Sequence, residues 1–192
     1  MIGNDIVDLQ LAKTQSNWRR RGYLQKIFTK EERQQILDSE NRDKMIWLFW
    51  SMKEAAYKAW QRKHNLAPKF NPCSLECFLQ SSNSKSTTGK VIIEEESIFT
   101  KSFFNSNFIH SRASCREDEK IIWKSLSSKE DLRQSLLREF VATAGTFSKF
   151  PKLKKDRNFI PQFYIDDQAL SYNFSLSHHG SFSGFAFSLN NS

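Results

Sequence analysis

Apolar and polar positions alternate over residues 2–9, where Asn4, Asp5 and Asp8 sit among Ile2, Ile6, Val7 and Leu9, and this predicts a short first strand. Residues 15–22 are polar and basic. Thr29 followed three residues later by Glu32 is the pattern of a capping box, so a helix is expected from there to about Asp38. The longest periodic stretch runs over residues 42–63. Met45, Phe49, Met52, Ala56 and Ala59 form one apolar stripe, and Trp47, Ser51, Glu54 and Lys58 share the same spacing on the opposite side. Pro68 and Pro72 end this helical region. Residues 74–79 read as a strand, and 81–88, rich in Ser, Thr and Asn, as a loop. Further strands are expected around 91–93, 98–99, 108–109 and 121–123. Ser128 with Asp131 resembles another cap, before a helix through Leu132, Leu136, Leu137 and Phe140 that stops near Gly145. Residues 149–157 read as a basic loop. Residues 163–165 and 172–189 read as strands around His178-His179-Gly180, and no internal repeat or domain linker interrupts the chain.

A chain of 192 residues suits one domain, or two small ones built around related cores. Apolar residues make up 39% and include 17 Phe and 5 Trp, enough for a sizeable core and against disorder. The net charge of +8 favours anionic partners without choosing among nucleic acid, phosphorylated metabolites, acidic membranes and acidic proteins. Three cysteines make no disulfide framework and suit a reducing compartment. The first residues lack a basic region followed by an apolar one, so no secretory signal is read there and a cytoplasmic location is expected. The apolar run at 45–50 is too short to span a bilayer.

Candidate chemistry begins with the acids. Asp5 and Asp8 lie on or beside an apolar strand, where a carboxylate is costly to bury unless it is paired or metal-bound. Asp5 with Glu54 would make a two-carboxylate Mg²⁺ site completed by waters and phosphates. The plainer reading is a solvated aspartate. Lys53 and Lys58 flank Glu54 and could neutralise phosphate charge; the plainer reading is a surface Glu54–Lys58 pair worth only a few tenths of a kcal/mol. Phe174-Ser175-Leu176-Ser177-His178-His179-Gly180 offers hydroxyls, an imidazole and a glycine turn to a phosphate, while a hydrolase triad is disfavoured because Gly-x-Ser-x-Gly is absent.

These segments together resemble the 4′-phosphopantetheinyl transferase superfamily. Residues 3–9, Gly-Asn-Asp-Ile-Val-Asp-Leu, are similar to its first signature, and residues 50–59, Trp-Ser-Met-Lys-Glu-Ala-Ala-Tyr-Lys-Ala, to its second. Lys26-Ile27-Phe28-Thr29 with Glu32, and Ser175-Leu176-Ser177-His178, resemble two further segments. Their order is that of the single-domain holo-acyl-carrier-protein synthase branch. The matching segments cover about the first 60 and last 20 residues; 64–155 align only loosely. The resemblance implies an α+β fold with a small antiparallel sheet packed against a long helix, in one domain over 1–192 with an extended middle segment.

The resemblance further implies transfer of the phosphopantetheine arm of coenzyme A to a serine of an apo carrier protein, with release of adenosine 3′,5′-bisphosphate. Asp5 and Glu54 would ligate Mg²⁺. Glu54 and Lys58 would be catalytic, and Lys53, Lys58, Ser177 and His178 would contact coenzyme A. Arg19, Arg20 and Arg21 would dock an acidic carrier protein; the plainer reading of each is a solvated turn. Asn4 stands where an apolar residue is usual and should face away from Asp5. Val7 stands where the longer branch has a second acid, leaving water or Asp8 to complete the metal shell. In the single-domain synthases the site forms between neighbouring subunits, so a homo-oligomer is one arrangement the resemblance implies.

Three other readings compete. A basic nucleic-acid-binding module would explain the charge but not Lys53-Glu54-Ala55-Ala56-Tyr57-Lys58, so no nucleic acid is expected as partner. A coenzyme A-binding relative without activity conflicts with the intact Asp5, Glu54 and Lys58. A zinc site from Cys73, Cys77, His110 and Cys115 has loose spacing.

Overall fold

A computed structural model describes residues 1–145 and 147–190. Strand β1 (Ile2–Asp8) is followed by α1 (Leu9–Gln15), α2 (Tyr23–Ile27), α3 (Lys30–Asp38) and the long α4 (Arg42–Lys63). Then come β2 (Glu76–Ser82), β3 (Ser86–Ile93), β4 (Glu96–Phe104), β5 (Phe108–Ser114), β6 (Ile121–Ser127) and α5 (Leu132–Ala144). The chain closes with β7 (Lys152–Lys155), β8 (Pro161–Ile165), β9 (Gln168–Ala169), β10 (Asn173–His179) and β11 (Phe182–Ser188). All described pairings are antiparallel. They give a five-stranded sheet ordered β1-β5-β4-β3-β2, a three-stranded sheet ordered β10-β11-β6, and a small sheet ordered β7-β8-β9.

The α+β expectation of an antiparallel sheet against a long helix describes the first lobe. Val91, Ile98, Ile109 and Ala113 from the sheet bury against Phe49, Met52, Ala56 and Ala59 of α4. A second apolar cluster, rich in phenylalanine, fills the space under α5, with Phe140 stacked on Phe163 at 4.0 Å between centroids. The middle segment 64–155 supplies four of the five strands of the first sheet, and also β6, α5 and β7.

Strand β1 joins the two lobes. Its odd residues face α4, and Gly3 is the point of closest approach: a Cβ there would lie 2.0 Å from the Ala55 carbonyl oxygen and 2.8 Å from the Ala59 nitrogen. Only a residue without a side chain allows this spacing. Its even residues face the second lobe. At this otherwise open edge, the Asn4 amide N–H donates to Ser175 Oγ at 3.0 Å and the Asp8 N–H to His179 Nδ1 at 2.9 Å. Side chains of β10 thus satisfy donors that an edge strand would leave exposed.

Several boundaries differ from those read in the sequence. The first strand stops at Asp8, which caps α1 by accepting from the Gln10 and Leu11 N–H groups. The short helices α1 and α2 replace a stretch without periodicity. Residues 81–88 are not one loop: they include the end of β2 and the start of β3, and the turn narrows to residues 83–85, where the Asn83 side chain accepts from the Lys85 and Ser86 N–H groups. Threonine and serine are at home on a half-exposed strand. The basic stretch 149–157 contains β7. Asp131 itself caps α5, by accepting from the Arg133 and Gln134 N–H groups. The capping box of Thr29 and Glu32 is formed as expected.

Candidate active site

Helix α4 turns Glu54, Lys58, Gln61 and Arg62 toward one side, spaced at i, i+4, i+7 and i+8, and Gly3 lets β1 lie close beside them. Asp5 therefore meets Lys58: its Oδ1 lies 3.1 Å from Nζ, which also donates to the Asn4 carbonyl at 3.0 Å. Lys58 Nζ lies 3.9 Å from Glu54 Oε2. Burial and the charge of Asp5 push the Glu54 carboxyl up to about 7, although Lys58 acts in the opposite direction. Two carboxylates thus share one ammonium in a half-dry position.

Two cavities meet here. A cleft of about 480 Å³ is lined by Lys58, Arg62, Arg133, Lys154, Lys155 and Phe159, with Ser177 and His178 on its β10 side. It is strongly basic. A smaller cavity of about 280 Å³ is lined by Asp5, Tyr23, Trp47, Trp50, His178 and His179. His178 borders both. The β7–β8 hairpin forms one wall of the cleft, and its turn is built on Asp156, which accepts from the Asn158 and Ile160 N–H groups. Asn158 Nδ2 donates to the Asn65 carbonyl at 2.7 Å and so ties this turn to the end of α4. Phe159, at φ 61°, stands 66% exposed.

Behind the carboxylates lies a buried polar network. Asn4 Nδ2 is 2.9 Å from Ser177 Oγ and 3.0 Å from His110 Nε2. An amide nitrogen only donates, so Nε2 accepts, and the His110 Nδ1–H donates to Ser125 Oγ at 2.8 Å. His110 is a neutral imidazole: burial, helped by Arg112 and Lys58, lowers its pKa to about 3. Asn4 does face away from Asp5, as expected of successive strand residues, and it links the lobes instead. Its Oδ1 has no hydrogen-bond partner among the described residues.

The other sequence-derived positions fall as follows. Lys53 is not in this cluster, contrary to a coenzyme A contact. Its ammonium is fully buried, 2.6 Å from Glu32 Oε2, and donates to the Ile27 and Pro72 carbonyls at 2.9 and 2.8 Å. One residue along a helix is a turn of about 100°, which carries Lys53 away from the face of Glu54. Ser177 is buried against Asn4, leaving His178 at the cleft surface. Both Asp8 oxygens are used by backbone: Oδ1 accepts from Gln10 and Leu11, and Oδ2 from Ser181 across the turn at Gly180. Burial pushes the Asp8 carboxyl up, but these N–H groups outweigh it and hold it below its usual value. Asp8 is committed to the fold. Arg19, Arg20 and Arg21 are exposed; Arg19 pairs with Asp43 at 3.2 Å and lies over Trp18, while Arg20 lies over Tyr23. Cys73, Cys77, His110 and Cys115 do not converge, and no group of three His, Cys, Asp or Glu with metal-site geometry occurs among the described residues. The sequence reading missed Arg62, Arg133, Lys154, Lys155 and Phe159; only Arg62, two turns beyond Glu54, carried a signal.

The family model of the 4′-phosphopantetheinyl transferase superfamily matches residues 1–113, and the chain belongs to that superfamily. This region includes β1, α4 and the Asp5–Glu54–Lys58 cluster. No curated protein matches the chain. Membership supports phosphopantetheine transfer, with coenzyme A and a carrier protein as partners, as the general chemistry. Among the described residues, no helix is long and apolar enough to cross a membrane.

Proposed function

We propose that the protein transfers 4′-phosphopantetheine from coenzyme A to a serine of an acyl, peptidyl or polyketide carrier protein, in the manner of a holo-acyl-carrier-protein synthase. The observation that carries this reading is the Glu54 carboxyl, raised to about 7 in a cluster with Asp5 and Lys58, of which Lys58 lines a basic cleft. Perturbed acids in a concave, oppositely charged setting are what phosphoryl chemistry requires.

Asp5 and Glu54 suit Mg²⁺: they are hard oxygen donors whose mutual repulsion a cation would relieve, and Mg²⁺ needs only one or two protein carboxylates when phosphates and water complete its shell. Bound there, Mg²⁺ would supply charge neutralisation for the coenzyme A pyrophosphate. The chain's own residues do the rest. Arg62, Arg133, Lys154 and Lys155 hold the 3′-phosphorylated nucleotide end, and the exposed ring of Phe159 offers the adenine a stacking face. His178 contacts phosphate between the two cavities. The serine Oγ attacks the β-phosphorus, its proton passes to a Glu54 carboxylate oxygen, and the bond to adenosine 3′,5′-bisphosphate breaks with its electron pair. Lys58 offsets the charge on the departing phosphate.

The cleft takes residues from both lobes of one chain, which supports a site held within one subunit. Arg20, over the Tyr23 ring that lines the smaller cavity, and the exposed Arg21 suit an acidic carrier protein. The test is intact mass of a panel of apo carrier proteins after incubation with the protein, coenzyme A and Mg²⁺. A gain of one phosphopantetheine that EDTA abolishes is expected. Coenzyme A binding without any gain on any carrier would instead support the non-catalytic relative.

A further inference from the structure

The face of the five-stranded sheet turned away from α4 carries a further cavity, of about 450 Å³. Thr88 on β3, Lys101 on β4 and Arg112 on β5 lie in one register row, so Lys101 and Arg112 are directly opposed across neighbouring strands. Like charges in that relation repel. Neither cation forms an ion pair among the described residues. The Arg112 guanidinium lies 4.2 Å over the Trp123 ring, and its buried Nε has no hydrogen-bond partner among the described residues. Burial draws its pKa down to about 10, so the guanidinium is partly desolvated with the Trp123 ring as its neighbour. The two glutamates at this cavity do not resolve this: Glu119 is engaged by Arg116 at 3.0 Å, by Ser188 and by Asn190, and Glu117 is exposed.

We propose that Lys101 and Arg112 form a second anion-binding site, which takes the phosphate or carboxylate group of a small metabolite. The oxyanion bridges the two cations, with the Thr88 hydroxyl and Gln80 amide within the same cavity as further donors. Phe99 and Ile121 line the remaining space. The volume exceeds that of an inorganic anion and falls in the range of metabolite sites. This site shares no residue with the transfer cleft.

The test is thermal unfolding of the full chain against inorganic phosphate and, separately, citrate, at constant ionic strength. Three proteins are compared: wild type, Lys101→Gln, and Lys154→Gln as an equal charge change in the transfer cleft. Lys101 is exposed, so its substitution spares the fold, which circular dichroism verifies. At least one of the two anions is expected to raise Tm of wild type and of Lys154→Gln. Because the transfer cleft can also take an anion, this site is read as a difference between proteins: Lys101→Gln should lose part of the shift that wild type shows, and one calorimetric binding event should weaken at least tenfold, in keeping with the loss of one charge-assisted hydrogen bond. The preferred anion distinguishes phosphate from carboxylate. No shift with either anion, a shift as large in Lys101→Gln as in wild type, or one lost entirely in Lys154→Gln overturns the proposal. None of these outcomes depends on transfer activity.

Discussion

The Asn4 amide nitrogen lies 2.9 Å from Ser177 Oγ, a hydrogen bond between residues 173 positions apart in the chain. The same amide holds His110, which in turn holds Ser125. One polar side chain thereby connects β1, β5, β6 and β10. Asn4→Ala is expected to destabilise the protein by about 2–3 kcal/mol, because it leaves buried polar atoms of His110 and Ser177 without a partner. The urea midpoint measures this, and a loss below 0.5 kcal/mol, about the scale of a surface change, would remove the network from the stabilising interactions.

His110 makes the acid limb of the stability curve predictable. Its folded pKa is about 3, against 6.5 for the free side chain. Between these values the unfolded chain binds the extra proton, so stability is fully present above pH 6.5 and falls as pH drops toward 3. The loss should reach several kcal/mol. His110→Gln should flatten this window, and an unchanged profile would mean that other groups dominate it.

Glu54 titrates with the opposite sign. Its folded pKa, near 7, lies above the ordinary 4.5, so metal-free protein loses stability as pH rises from 4.5 through 7. Up to about 3–4 kcal/mol is at stake. Without divalent metal, Glu54→Gln should therefore have a higher Tm than wild type at pH 8 and lose at least a hundredfold in transfer rate. Normal turnover would remove Glu54 from the chemistry.

Lys53→Met should act on folding rather than on coenzyme A. It strands the Glu32 carboxylate in a fully buried position, which costs about 3–5 kcal/mol. The folded fraction should keep its KM for coenzyme A. A raised KM with unchanged stability would restore Lys53 to the substrate site.

Phe159→Ala and Lys155→Glu probe the cleft wall. Lys155→Glu should raise KM for coenzyme A about tenfold, the effect of about 1.4 kcal/mol. Phe159→Ala should weaken coenzyme A but not an analogue that lacks adenine; equal weakening of both would remove the stacking role.

Asp5, Glu54 and Lys58 were singled out through the resemblance of their two motifs to a known family; spacing alone favoured a solvated pair, and the close approach at Gly3 that brings them together is visible only in the structure. The capping box at Thr29 was legible because its pattern is local. Lys53 was misread because a motif records which residues stand together, not which way each points; its orientation depends on Glu32 and two carbonyls from other elements. The cleft wall stayed hidden because β7 is four residues, mostly lysine, with no apolar alternation to declare it. The roles of Asn4 and His110 rest on contacts between distant strands, to which local pattern is blind.

The strand that carries Asp5 is synthesised about 170 residues before the strand that covers its open edge. The first lobe can bring Asp5 to Glu54 and Lys58 while the chain is still growing. Ser177, His178 and the basic hairpin follow about 100 residues or more behind Glu54, so a nascent chain holds the carboxylate pair well before it can hold a nucleotide.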